Sequence, residues 1–383
     1  MGVQSRKLSV GFLYDDTLDS FDGVAQYVKT LGAWLSSQGH HVCYLVGQTK
    51  ITNWSGGTVY SLARNVPVNF NANVLSIPLP ANRQAIKQVL TKENLDVLHV
   101  QMPYSPFMAG RVIAAVPPRT AVIGTFHVLP AGPMAVWGSR LLGLWLRRGL
   151  RRFDHIVSVS TAAAQFAKKT YGLTSEVVPN TVELKKFTAS GAEAVKRSPG
   201  FEIIFFGRLV KRKGCQQLLQ AFSQLNARLP QAKLTIAGDG PQRKQLEQWV
   251  TRHKLASSVE FLGFIEEPSK ASLLGRADIA CFPSLYGESF GIVLLEAMAS
   301  GATVVLGGNN VGYSSVLQKR PELLIDPRDT KAFAQRLYQL LTERPLAAQL
   351  HAWQAQHVRS YDVGVVGRQL TNIYTAAIAK RKG

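Results

Sequence analysis

A chain of 383 residues that is 46% hydrophobic is too apolar to remain unfolded and too long for one ordinary core, so two globular domains are expected. Its 44 Lys and Arg against 24 Asp and Glu leave a net charge of +20, which favours polyanionic partners: nucleic acid, anionic lipid headgroups or phosphorylated substrates. The three cysteines (Cys43, Cys215, Cys281) are scattered without metal-ligand spacing, no uncharged apolar run reaches the ~18 residues of a membrane span, and the opening residues do not read as a secretory leader. The expected setting is therefore a reducing cytoplasm, without disulfides.

Along the chain, short apolar runs alternate with helical patterns. "KLSVGFLYD" (7–15) reads as a buried strand and "GVAQYVKTLGAWLSSQGH" (23–40) as a helix. "HVCYLVG" (41–47), "DVLHVQ" (96–101), "AVIGTFHV" (121–128) and "HIVSVS" (155–160) continue the strand series. The pattern loosens through the polar stretch at 190–200. It restarts with "FEIIFFGR" (201–208), a helix at 214–228, "AKLTIAGDG" (232–240), a helix at 241–254, "VEFLGF" (259–264), "IACFPS" (279–284), a helix from about 290 and "TVVLGG" (303–308). Strand–helix alternation of this kind predicts parallel sheets covered by helices on both faces. Two such blocks predict two similar α/β domains. Ligands of open parallel sheets sit at the carboxyl ends of the strands, so two facing sheets would place a site in the cleft between them. The run "YDVGVVGRQLTNIY" (361–374) is expected to end as a helix returning to the first domain.

Several stretches carry chemistry. In "FFGRLVKRKG" (205–214), Arg208 and Lys213 follow a strand directly and stand just before a helix, a pairing suited to a diphosphate; the same run also suits a solvated basic loop. "AGDGP" (237–241) is a turn that permits close backbone approach to a ligand or another chain. In "GESFGIVLLEAMASG" (287–301), a helix starting near Phe290–Gly291 would offer free N–H groups to a phosphate, with Glu288 before that seat and Glu296 about two turns in. Counted as helical rise, eight residues span roughly 12 Å, about the reach of a sugar, a diphosphate and a ribose. Carboxylates suit sugar diols because each oxygen accepts a hydroxyl hydrogen. The alternatives are an ordinary buried acid for Glu296 and a helix-capping charge for Glu288.

Taken together, these motifs resemble the family-4 retaining glycosyltransferases of the GT-B architecture. The family's E-x-F-G-[ILVT]-x-x-x-E-A-x-A-x-G appears as "ESFGIVLLEAMASG" and its G-R-x-x-x-x-K-G as "GRLVKRKG". Its G-D-G-P turn is Gly238–Pro241, and its V-x-P-N-x-V-[DE]-x-x-x-F is "VVPNTVELKKF" (177–187), with Thr181 in place of the usual glycine. Its T-F-H is Thr125–His127, and its D-V-[IL]-H is Asp96–His99, with Gln101 where a second histidine is frequent. The amino-terminal glycine pair appears as "DGV", with Asp22 in place of the first glycine and Gly23 retained.

The resemblance implies two Rossmann-like domains facing across a cleft. Residues 1–185 would bind acceptor, with a carboxyl-terminal helix at about 366–383 packed back on them, and residues 186–365 would bind a nucleotide sugar. Glu288 would contact the sugar hydroxyls and Glu296 the ribose diol. Backbone N–H groups of Phe290, Gly291 and Ile292 would touch sugar and phosphate, and the backbone at Phe264 the base. Arg208 and Lys213 would clamp the diphosphate in place of a metal, since no D-x-D occurs and none is called for. Gly23 would let the amino-terminal loop meet the phosphate, and His127 would face the reacting sugar. Retention without an enzyme nucleophile implies front-face substitution. His99 reads as structural.

The segment 134–153 bears on the acceptor. On a helical wheel Arg140, Arg147, Arg148, Arg151 and Arg152 share an arc of about 140°, with Trp137, Leu141 and Leu144 among them. Leu142, Trp145, Leu146, Leu150 and Phe153 occupy the opposite arc. Arginines mixed with Trp and Leu suit an anionic bilayer; a core-packed helix with a basic outer face is the alternative. Trp137, Arg140, Trp145, Arg147, Arg148, Arg151 and Arg152 are the candidate membrane and acceptor residues. The expectation is a hexosyltransferase, peripheral on the inner membrane face, using GDP-mannose or a UDP-hexose and a lipid or lipid-linked acceptor. It would resemble bacterial phosphatidylinositol mannosyltransferases and related glycolipid-forming enzymes. The alternatives are a soluble saccharide acceptor, as in glycogen synthases, and a nucleic-acid-binding protein. The last lacks any reading motif or basic–aromatic interleaving on a sheet.

Overall fold

The computed structural model describes residues 6–19, 22–70, 73–128, 133–192 and 200–382. The chain divides into two compact units, Met1–Thr181 with Val363–Gly383, and Val182–Asp362.

In chain order the first unit runs β1 (Ser9–Tyr14), α1 (Gly23–Ser37), β2 (His41–Val46), β3 (Asn53–Trp54), β4 (Gly57–Ser61), β5 (Asn65–Phe70), β6 (Asn73–Pro78), α2 (Arg83–Glu93), β7 (Val97–Met102), α3 (Ala109–Ala115), β8 (Ala121–Phe126), α4 (Pro133–Leu150), β9 (His155–Ser158), α5 (Thr161–Tyr171) and β10 (Glu176–Val177). Its main sheet has the order β10-β9-β8-β7-β1-β2-β4-β3, parallel except where β3 turns back on β4, and β5 and β6 form a separate hairpin. The central strands are buried on both faces: Val10, Phe12, Leu13, Val97, Leu98, Val122 and Ile123 are all 0% exposed. Such strands read as continuous apolar runs, which is why they stand out in the sequence. The strands between 53 and 78 have no counterpart in the alternation read from sequence.

The carboxyl-terminal helix, Val363–Lys382, joins this unit. Val363, Val366, Leu370, Tyr374 and Ile378 recur at three- and four-residue spacing and pack on Tyr27, Leu31 and Leu35 of α1. Burying side chains such as Val366 and Leu370 contributes about 1.5–3 kcal/mol each. Gly367 sets the closeness of the two helices, because a Cβ there would lie 2.4 Å from the Trp34 ring.

The second unit runs α6 (Leu184–Ala192), β11 (Phe201–Phe206), α7 (Cys215–Arg228), β12 (Ala232–Ala237), α8 (Arg243–Arg252), β13 (Val259–Gly263), α9 (Glu267–Gly275), β14 (Ile279–Phe282), α10 (Ile292–Ala299), β15 (Val304–Gly308), α11 (Val311–Leu317), β16 (Leu324–Ile325), α12 (Thr330–Thr342) and α13 (Arg344–His357). All strands of its sheet are parallel, in the order β13-β12-β11-β14-β15-β16. From β11 the chain first builds outward through β12 and β13, then crosses back to place β14 on the other side of β11. The loops leaving β11 and β14 therefore diverge at a topological switch point, the place where such sheets bind ligands. The loop after β11 is "GRLVKRKG" and the loop after β14 contains "GESFG".

Candidate active site

The switch point brings these two loops into contact. After β11 the chain makes a 3-10 turn at Lys211–Lys213, closed by Gly214 in the left-handed region at φ 73°. A Cβ on Gly214 would stand 2.0 Å from the Pro283 carbonyl, so only glycine admits this approach. The Leu285 N–H donates to the Arg212 carbonyl at 2.8 Å. Across this seam Lys213 Nζ lies 2.9 Å and Arg212 Nη1 2.8 Å from the same oxygen, Glu288 Oε1. The Glu288 side chain is only 14% exposed. Burial pushes its carboxyl upward, but Lys213 and Arg212 outweigh burial and hold it below its usual range. Glu288 is thus an ionised carboxylate in a largely buried position. Arg208 is exposed on the same loop. In this structure Lys213 is engaged by Glu288 rather than standing ready for a phosphate, and the second cation on that carboxylate is Arg212. Sequence reasoning placed Arg212 in an undifferentiated basic run.

Glu296 has its own partner. It is 5% exposed, and its Oε1 accepts from Lys270 Nζ of α9 at 2.7 Å. Lys270 also lies 2.9 Å from Glu267, which Lys186 approaches at 3.6 Å. Burial opposes a charge on Lys270, but the two carboxylates win and hold its pKa above the ordinary lysine value. Burial raises the Glu296 carboxyl, which shares its cation with Glu267. Neither Lys270 nor Glu267 was identified from the sequence. The helical ruler also needs correction. The helix begins at Ile292, with Gly291 as N-cap at φ 125°, so Glu288 lies outside it. Only the steps from Ile292 to Glu296 are helical, a rise of roughly 6 Å, and the loop sets the rest of the separation.

The remaining candidates of this unit fall around the switch point. Gly291, the N-cap of α10, makes no side-chain cap hydrogen bond, and the first-turn amides carry the positive end of the helix dipole, which favours an anion. Phe290 is buried against Tyr361, ring centroids 5.9 Å apart, which anchors the loop just before that helix. Phe264 follows β13 and is 65% exposed. The "GDGP" turn approaches the neighbouring loop: Cβ atoms on Gly238 and Gly240 would meet the Gly207 and Leu209 carbonyls at 2.0 and 2.6 Å. The Leu209 N–H donates to the Asp239 carbonyl at 2.8 Å. The turn is a prop beneath "GRLV".

In the first unit, Gly23 is the opening residue of α1, and Asp22 caps it. Asp22 Oδ1 accepts from the N–H groups of Val24 and Ala25 at 2.8 and 3.0 Å. An anion approaching these two amides meets a carboxylate already seated on them. Asp22→Ala is expected to lower stability by about 1 kcal/mol in denaturant melts, whereas Asp22→Gly costs a few tenths. Equal losses for the two would show that the cap is not what Asp22 contributes.

His127 sits at the carboxyl end of β8, 5% exposed, with Tyr27 edge-on at 4.9 Å. The Gln101 amide nitrogen reaches the His99 carbonyl at 3.4 Å, so its oxygen faces His127 Nε2, 2.8 Å away. His127 therefore donates from Nε2 and keeps Nδ1 as its acceptor nitrogen. His99, fully buried, lies between the Thr125 hydroxyl at Nε2 and the Tyr374 hydroxyl, 2.6 Å from Nδ1. Burial lowers both imidazoles to about 3, so they are neutral at physiological pH.

Helix α4 ends at Leu150, leaving Arg151 and Arg152 beyond it. Arg140, Arg147, Arg148 and Arg151 are exposed. Arg152 is not part of that face: its Nη2 donates to the Pro117 and Thr120 carbonyls at 2.9 Å, and Nη1 lies 3.7 Å from Asp154. Trp145, placed by the wheel on the inner arc, is 67% exposed and meets Phe107 only edge to face at 5.9 Å. Leu146, at 4%, carries the inward packing, while Leu141 and Leu144 are 48% and 69% exposed. The outer face is therefore basic and apolar together. The side chain of Trp137 lies outside the described residues. Among those residues, no helix is long and apolar enough to cross a membrane.

The chain is similar to known proteins over nearly its whole length. Residues 21–186 match the family described as Glycosyltransferase Family 4, and residues 189–355 that described as Glycosyl transferases group 1. The phosphatidyl-myo-inositol mannosyltransferase of Mycolicibacterium smegmatis is 28% identical over 96% of this chain and 93% of its own. That of Propionibacterium freudenreichii is 31% identical over 93% and 91%. A GDP-mannose-dependent monoacylated alpha-(1-6)-phosphatidylinositol monomannoside mannosyltransferase of Corynebacterium glutamicum is 28% identical over 78% and 81%. Among solved structures, HepE of Anabaena in complex with UDP has a TM-score of 0.72 at 17% identity, covering 96% of this chain and all (100%) of that one.

Proposed function

Because the chain belongs to the group 1 and family 4 glycosyltransferases and is a hexosyltransferase of GT-B fold, we propose that it moves a hexose from a nucleotide sugar onto a phosphatidylinositol-type lipid at an anionic membrane surface. The observation that carries the reading is the meeting of the two motif loops on one carboxylate, Lys213 to Glu288 at 2.9 Å. The second unit holds the donor. Glu288 accepts hydrogen bonds from sugar hydroxyls and supports positive charge at the reacting carbon. The first-turn amides of α10 and the cations Lys213 and Arg208 receive the diphosphate. Glu296 binds the ribose diol with the oxygen that Lys270 leaves it, and backbone at Phe264 meets the base. GDP-mannose is the donor suggested by the relatives' names; a UDP-hexose is the other.

The reaction proposed is front-face substitution with retention. The bond from the anomeric carbon to the phosphate oxygen breaks, and that oxygen leaves with the electron pair. The acceptor hydroxyl oxygen bonds to the anomeric carbon on the same face, and its proton passes to the departing phosphate. The protein stabilises the charge growing on the diphosphate. The acceptor side rests on α4, where Arg140, Arg147, Arg148 and Arg151 lie among exposed Leu141, Leu144 and Trp145. Arginines meet lipid phosphates while the apolar side chains enter the interface.

Nucleotide release from GDP-mannose and UDP-hexoses, with vesicles containing phosphatidylinositol or with soluble oligosaccharides, tests the proposal. Release that requires the vesicles is expected, together with a fall on the order of 100-fold in Glu288→Gln. Transfer to oligosaccharides alone moves the acceptor to the soluble class. Activity unchanged in Glu288→Gln removes the site. Vesicle binding that ignores salt and survives joint replacement of Arg147, Arg148 and Arg151 removes the membrane surface.

A further inference from the structure

Four basic residues lie in "GRLVKRKG", and the structure separates them into two pairs. Arg208 and Lys211 are exposed, whereas Arg212 and Lys213 are 21% and 19% exposed at their side chains and both end on Glu288 Oε1. Arg212 is held twice by the Glu288 loop: its carbonyl accepts from Leu285 N–H at 2.8 Å, and its Nη1 donates to Glu288 at 2.8 Å, with the Gly287 carbonyl at 3.5 Å. The left-handed turn at Gly214, pressed on Pro283, keeps the two loops in this register. A solvated basic loop needs none of these ties.

The same geometry creates a conflict for Lys213. A lysine that bonds a diphosphate must give up part of its hold on Glu288, and a largely buried carboxylate stripped of its counterion is costly. A second cation on the same oxygen removes that conflict. Guanidinium suits the task, since it stays charged at any working pH and its planar fork fixes direction. Resting on the nucleotide-sugar reading of this site, we propose that Arg212 is a positioning residue: it keeps Glu288 ionised and aimed while Lys213 turns to the donor diphosphate. Arg212 itself does not bind the phosphates. Lys213 thus exchanges partners on donor binding, and Arg212 does not.

The test compares wild-type protein with Arg212→Met and Arg212→Lys. Three readouts are needed: the carboxyl titration of Glu288 by carbon-13 NMR, GDP and UDP binding, and the pH profile of kcat/KM. In Arg212→Met the Glu288 titration and the acid limb of the profile are expected to move up by a pH unit or more. Turnover is expected to fall at least tenfold, with nucleoside diphosphate affinity within twofold of wild type. Arg212→Lys, which keeps the charge, is expected to recover most of the titration. A tenfold loss of GDP or UDP binding with Glu288 unmoved would make Arg212 a phosphate ligand and overturn the proposal. An unshifted Glu288 titration in Arg212→Met also overturns it. If wild-type protein consumes no nucleotide sugar, the functional reading falls, while the NMR titration still decides whether Arg212 governs Glu288.

Discussion

Replacing Lys270 by methionine is expected to cost the second unit about 3–5 kcal/mol at pH 7.5, the penalty for removing one partner of a buried ion pair. The side chain of Lys270 is 4% exposed, and its ammonium is shared by Glu296 and Glu267, whose side chains are 7% and 24% exposed. Methionine keeps the length of the aliphatic stem but removes the ammonium, which also lies 5.6 Å and 5.8 Å from the Phe187 and Phe206 ring centroids. What is lost is the charge. Glu296 then faces burial alone and must either stay ionised without compensation or take up a proton. Its pKa, already raised, rises further in the variant, so the loss shrinks as pH falls and Glu296 becomes neutral. The double variant Lys270→Met, Glu296→Gln is expected to recover a large part of the stability, since the amide needs no counterion. Denaturant melts at pH 7.5 and 5 measure all three proteins. A single variant within about 0.5 kcal/mol of wild type, or a double variant no better than the single, would show that the pair is not what fixes Glu296.

How much of this was legible beforehand follows from what a sequence displays. Strands buried on both faces, such as Ser9–Tyr14 and Phe201–Phe206, print as apolar runs and were read within a few residues. Strands of two residues, such as Asn53–Trp54, carry no period at all. Glycine-marked turns announced where loops pack but not on what: the "GDGP" turn packs on Gly207 and Leu209. Glu288 and Glu296 were located by a motif, yet their partners were not. A buried lysine looks in sequence like a surface lysine, and "EEPSK" reads as an ordinary helical acid–base pair. Its decisive partner lies 26 residues on. Arg212 was hidden by its neighbours Lys211 and Lys213. Nothing in "DGV" marks Asp22 as a cap; its bonds to Val24 and Ala25 do. Spacing reports local periodicity; the pairing of charges depends on which loops the sheet crossing brings together.

The first unit is expected to lose stability as pH falls from about 7 toward 5. His99 and His127 have folded pKa values of about 3 against an ordinary 6.5, and burial together with Lys7 depresses His40 as well. A depressed histidine is neutral when folded and takes up a proton on unfolding, so its contribution is complete above 6.5 and drains away as pH drops toward the folded value. Each such group costs up to about 1.4 kcal/mol per pH unit within that window. Asp15 acts in the opposite sense. Burial raises it to about 6 from 3.8 despite hydrogen bonds from Ser105 and Ala109, so it is protonated in the folded chain first. Its contribution grows as pH falls from about 6 to 3.8. His99 and His127 less Asp15 leave a net uptake of about one proton, or roughly 1.4 kcal/mol per unit near pH 5, and the depressed His40 adds to it in the same direction. Unfolding free energies by circular dichroism between pH 7.5 and 5 should trace that decline. His127→Gln, which keeps an uncharged polar group beside Gln101, should remove about one proton from the slope whatever it costs at pH 7.5. A stability flat across this range, or an unchanged slope in His127→Gln, would mean that the imidazole takes up its proton within the fold, and that Gln101 and Tyr27 leave water a path to it.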